Sequence, residues 1–231
     1  MLDLRPYEEL GSERLSWLTQ KLHFSVGSYF NPERMGWSSL RVWNDDEIAP
    51  GAGFPLHGHM DMEIVTFVQQ GAITHADDLG HSGRIEAGDV QVMSAGSGIR
   101  HSEYNLEFEP TRIFQIWITP AARGGRPSWD TRPFPRSGRE GRFAVLASGF
   151  NDPEALPINA PARVAAATLR KGQDAEYALA NSRRGYLVPL KGRIEVNGLA
   201  VGERDGLAIS EEDLLRVRAA DDAEVVLVDL P

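Results

Sequence analysis

Along the chain, apolar, β-branched and aromatic residues cluster in short runs, and Gly, Pro, Asn and Asp close each run after a few positions. Ser39–Trp43, Met62–Val68, Val90–Ser94, Ile113–Ile118, Phe143–Leu146, Val164–Leu169, Tyr186–Leu190 and Glu224–Asp229 are such runs. Long helical periodicity is nearly absent, so the pattern predicts an all-β protein of short strands, a sandwich or barrel. One hairpin is specified locally, because Ile194–Val196 leads into Asn197-Gly198, a pair that adopts the positive φ angles of a type I′ turn. From Pro120 to Arg142 the sequence is rich in Gly, Pro and Arg without any period, which reads as the connection between two β units. Each half has strands, a Gly-Asp or Arg-Asp-Gly turn (Gly88-Asp89 and Arg204-Asp205-Gly206) and a closing apolar strand, so weak internal duplication is expected. The domains are accordingly placed at residues 1–125 and 126–231, the second including the linker.

Length and charge narrow the function classes. At 231 residues the chain can bury a sizeable core, in one large β domain or two smaller ones. A net charge of -9 repels phosphate backbones and anionic lipid, leaving a neutral organic or protein partner and disfavouring nucleic acid and membrane surfaces. There is no cysteine, so any metal must be held by nitrogen and oxygen. The stretch MLDLRPYEEL lacks basic and apolar targeting regions, and no run of about 18 apolar residues occurs, so a cytoplasmic location is expected.

The histidines carry the chemistry. All six lie at or before residue 101, so a His-rich metal site can only belong to the first half. His57 and His59 are two apart and share one face of an extended strand, and His101 and Glu103 do the same. On adjacent strands the two pairs would bring three imidazoles and a carboxylate together, a donor set for iron, manganese, cobalt, nickel, copper or zinc. Glu63, four residues after His59, has the same parity, and parity alone does not choose between it and Glu103. His23, His75 and His81 stand alone in strand or turn settings and read as surface or hydrogen-bonded residues.

These residues resemble the cupin superfamily. Gly51, His57, His59, Glu63 and Gly71 follow its first motif closely, and Gly88 through His101 to Asn105 its second. The Glu63-to-Gly71 gap is one residue longer than usual, Ser94 stands where Pro is common, and the Gly96-to-His101 segment is lengthened. With those departures, GFPLHGHMDMEIVTFVQQG, GDVQVMSAGSGIRHSEYN and QIWI are similar to the pirin family, in particular to its bacterial members with quercetin 2,3-dioxygenase activity. The resemblance implies a bicupin fold, two jelly-roll β-barrels packed together. It implies one divalent metal, usually Fe(II), on His57, His59, His101 and Glu103, and so favours Glu103 over Glu63. It also implies a metal-free C-terminal barrel, and cleavage of a flavonol by O2 with release of carbon monoxide.

For that reaction the metal must keep coordination positions open, and a base must take the flavonol 3-hydroxyl proton, a role that falls to Glu103. Phe54, Met60, Met62, Phe67, Met93, Phe114 and Trp117 are apolar candidates for the pocket, most of them expected to be plain core. Eukaryotic pirins resemble metal-containing transcriptional co-regulators, which makes a protein-binding module without catalysis the alternative function. A structural zinc site is a third reading, favoured by four protein ligands with no position open.

Overall fold

In the computed structural model, which describes every residue except Asn181, the chain is almost entirely strand. Among the described residues the helical elements are three single 3-10 turns, Tyr7–Glu9, Pro32–Arg34 and Arg136–Arg139, and no helix is long and apolar enough to cross a membrane. The fold is the all-β, two-unit cupin architecture expected. All eight apolar runs lie wholly or largely in strands. Asn197 and Gly198 take φ angles of 47° and 89° between Ile194–Val196 and Leu199–Val201, as the hairpin requires.

The two compact units interleave in sequence more than a single boundary near residue 125 allows. One comprises 11–133 and 156–160; the other comprises 1–10, 134–155 and 161–231. The first residues join the C-terminal unit because Leu2–Arg5 pairs antiparallel with Gly206–Ile209. Within the stretch read as a linker, Ser128–Pro133 is a strand, paired with Asp89–Ser94.

In the N-terminal unit, six antiparallel pairings order the larger sheet as Ser128–Pro133, Asp89–Ser94, Glu63–Gln70, Thr111–Ile118, Leu40–Ile48, Leu18–Leu22 and Gly11–Arg14. A four-stranded sheet follows the order Gly53–His59, Ile99–Tyr104, Ala72–Asp77 and Ser82–Glu86. Leu18, Ile48, Val68, Ile73, Ile85 and Ile113 from the two sheets form one buried cluster, so the sheets close on an apolar core. The C-terminal unit has the same division. A larger sheet is centred on Arg184–Lys191, Ala223–Leu230 and Arg163–Leu169, and a four-stranded one consists of Asp174–Ala178, Leu214–Ala219, Ile194–Val196 and Leu199–Val201. Leu187, Leu207, Leu215, Val217, Val225 and Leu227 lie in its core.

Candidate metal centre

The edge strand Gly53–His59 lies antiparallel to Ile99–Tyr104, with His57 opposite His101 and His59 opposite Ile99. Between His101 and Glu103 the register shifts, so that Phe54 rather than Pro55 stands opposite Glu103 and the edge strand carries one extra residue. Pro55, which has no N–H to give a ladder, falls in this bulge on an edge strand, where it costs no hydrogen bond. Close approach here demands glycine: a Cβ on Gly53 would stand 2.2 Å from the Glu103 carbonyl oxygen.

The two same-face pairs meet across this ladder. Ring centroids are 4.8 Å apart for His57 and His59, 4.5 Å for His57 and His101, and 5.1 Å for His59 and His101. Each of the three has a ring nitrogen within 4.8 Å of one on the other two. His57 Nδ1 lies 2.7 Å from the Pro55 carbonyl oxygen. A carbonyl can only accept, so that nitrogen carries the proton and Nε2 keeps its lone pair. His101 Nε2 is buried with no hydrogen-bond partner, a costly arrangement for a polar atom unless it binds something else. Burial, reinforced by the charge of His57, lowers the His59 pKa to about 4. His101 is lowered further, by burial first and then by His57, His59 and His75. Neutral imidazoles are the form that binds metal, so the residues present fit a divalent ion.

Glu103 lines the same cavity but sits deeper, grouping more closely with His75 and His101 than with His57 and His59. Its oxygens accept Gln91 Nε2 at 2.5 Å, Gln115 Nε2 at 2.6 Å and Thr66 Oγ1 at 3.4 Å. The amide orientations are fixed from behind, since the donor-only indoles of Trp129 and Trp117 point at the Gln91 and Gln115 carbonyl oxygens. Burial raises the Glu103 pKa to about 7 against these three donors. Glu63 is not part of the cavity. It accepts Ser94 Oγ at 2.6 Å and the Asn159 backbone N–H at 3.0 Å, tying the segment 156–160 to its own unit.

The cavity encloses about 50 Å³ among Gln20, Asn44, Asp46, Phe54, Trp117 and the four predicted residues. Of the apolar candidates only Phe54 and Trp117 line it; Phe67, Met93 and Phe114 are core, and Met60 is exposed. Asn44 and Asp46 were not among the candidates. They face inward from Leu40–Ile48, and the Asn44 Oδ1 and Asp46 Oδ2 oxygens are buried without partners. His75 is hydrogen-bonded, the second of the two settings expected for it, and not at the surface. It is fully buried, stacked on Trp129 at 5.0 Å and 13°, and hydrogen-bonded to Asp77.

Residues 3–118 match the family model described as Pirin, and residues 145–230 match one described as a quercetinase C-terminal cupin domain. A Pseudomonas aeruginosa protein provisionally named a quercetin 2,3-dioxygenase is 60% identical over 231 residues, covering 100% of both chains. An Escherichia coli K12 protein named quercetin 2,3-dioxygenase is 38% identical, covering 100% of this chain and 99% of its own. The crystal structure of the Escherichia coli bacterial pirin YhhW in complex with nickel(II) superposes with a TM-score of 0.94 at 38% identity, over 100% of this chain and 99% of that one.

Proposed function

The chain belongs to the pirin family, and we propose that it is a metal-dependent dioxygenase that opens the central ring of quercetin-type flavonols with O2 and releases carbon monoxide. The observation that carries this reading is the buried, unpartnered Nε2 of His101 facing a cavity shared with His57 and His59. His57, His59 and His101 would hold one divalent ion, iron(II) in this reading, with a Glu103 oxygen as the fourth ligand. Bound there, the ion supplies Lewis acidity toward a substrate hydroxyl and a path for electrons to O2.

The protein's own groups supply the rest. Glu103, held from behind by Gln91, Gln115 and Thr66, is placed to accept the 3-hydroxyl proton and keep it inside the cavity. Asn44 offers an oxygen to a hydroxyl donor on the substrate, the protonated Asp46 carboxyl offers a donor to a substrate oxygen, and Phe54 and Trp117 offer ring faces and edges. A space of about 50 Å³ admits only the hydroxyl-and-carbonyl edge of a flavonol. The remaining rings would lie outside the cavity mouth. In the balanced reaction both atoms of O2 enter the opened product, and the ring carbon that bore the 3-hydroxyl leaves as carbon monoxide with that oxygen.

The test is anaerobic reconstitution with iron(II), then quercetin and O2, following loss of flavonol absorbance and release of carbon monoxide. Turnover in the wild type and none in His101→Ala is the expected result. No turnover with any first-row divalent ion, at full occupancy, contradicts the enzyme and leaves a non-catalytic metal module.

A further inference from the structure

Behind His101 lies a line of groups that the proposed reaction does not use. His101 Nδ1 is 3.4 Å from His75 Nδ1, and His75 Nε2 is 3.1 Å from Asp77 Oδ2. His81 Nδ1 is 2.9 Å from the same Asp77 oxygen. Asp77 Oδ1 accepts the backbone N–H groups of Leu79 and His81, each at 3.0 Å. The side chains of His75 and Asp77 are 0% exposed, whereas His81 is 39% exposed, so the line runs from the cavity to solvent. Trp129 stacks on His75 and, at 6.1 Å, on His81, which holds both rings in place.

We propose that His75 and Asp77 are positioning residues that fix His101 in the Nδ1-protonated tautomer, so that its Nε2 lone pair faces the metal cavity. This rests on the reading of His101 as a ligand. The direction of the chain follows from donor and acceptor counts. An ionised carboxylate only accepts, so His75 must present Nε2–H to Asp77. The His75 Nδ1 then carries a lone pair, and among the described residues the group that satisfies it is an Nδ1–H on His101. The ring protons of His75 and His101 are thereby assigned, and of their nitrogens the one left bare is His101 Nε2, the buried atom without a partner. A carboxylate behind a ligating imidazole also raises the basicity of that ligand.

Asp77→Asn reverses the chain with almost no change of shape. The Leu79 and His81 N–H groups retain an oxygen at the Oδ1 position, which puts the amide NH2 where Oδ2 stood, facing His75 Nε2. His75 must then carry its proton on Nδ1, opposite the His101 Nδ1–H. The clash is relieved when His101 moves its proton to Nε2, where it blocks the metal.

The experiment uses two-bond 1H–15N correlation spectra of the metal-free protein, which report each imidazole tautomer, and zinc affinity by chelator competition. The wild type should show His101 protonated on Nδ1 and His75 on Nε2. Asp77→Asn should show both reversed and a zinc Kd weakened about 10- to 100-fold, while His81→Ala should leave both tautomers as in the wild type. A wild-type His101 protonated on Nε2, or a folded Asp77→Asn protein that binds zinc as tightly as the wild type, overturns the proposal. The wild-type spectrum decides the matter even where the variant fails to fold. Predicted tautomers in a wild type that binds no zinc would instead remove the metal reading and leave the chain standing.

Discussion

Replacing Asp46 by asparagine removes a buried ionisable group from the cavity wall but leaves an oxygen to accept the Gln20 Nε2 hydrogen bond, 2.8 Å in the wild type. Burial, opposed by Gln20 and reinforced by the neighbouring charges of Asp45 and Glu103, pushes the Asp46 carboxyl from 3.8 up to about 8. Between those values the folded protein keeps a proton that the unfolded chain has lost. Stability from this group is therefore fully present below the unfolded pKa and is lost as pH rises through the folded one. One proton corresponds to at most about 1.4 kcal/mol per pH unit. Asparagine has no such proton. In urea unfolding with a chelator present, the stability of Asp46→Asn relative to wild type should climb from about pH 5 to about pH 8 and then level off. A difference that stays flat across this range would refute the burial argument.

Glu63→Gln should keep full metal content and lose at most about 1 kcal/mol, because an amide oxygen at the Oε2 position still accepts Ser94 Oγ and the Asn159 N–H, and the NH2 opposes only Asn159 Nδ2, 3.5 Å away in the wild type; Glu103→Gln should lose metal, and elemental analysis separates the two. Gly53→Ala should destabilise the unit by about 1–3 kcal/mol and lower metal occupancy, since its Cβ meets backbone, the Glu103 oxygen at 2.2 Å and Tyr104 Cα at 2.5 Å. Thermal melting and metal content check this together, and an unaltered protein would show that the strands can separate there at no cost.

Strands with continuous apolar runs, such as Glu63–Gln70 and Ala223–Leu230, were legible because they are buried on both faces. Gly11–Arg14 and Ser82–Glu86 were not, since each has a single buried residue and so no apolar alternation to mark it, although each pairs with its neighbour in sequence. Ser128–Pro133 has almost no strand signal, yet it supplies Trp129, which orients Gln91 and covers His75. The two pairs that line the cavity could be found because residues two apart share a strand face. The same spacing links His75 to Asp77 and Asn44 to Asp46, but neither pair repeats a ligand motif elsewhere in the sequence. Only the tertiary pairing turns them inward.

Anomalous diffraction from crystals of the metal-loaded protein tests the central claim most directly. The account predicts one peak per chain, with Nε2 of His57, Nε2 of His101 and a ring nitrogen of His59 at about 2.0–2.2 Å and a Glu103 oxygen completing the set. No peak at this position, or a peak held by residues outside these four, would contradict it.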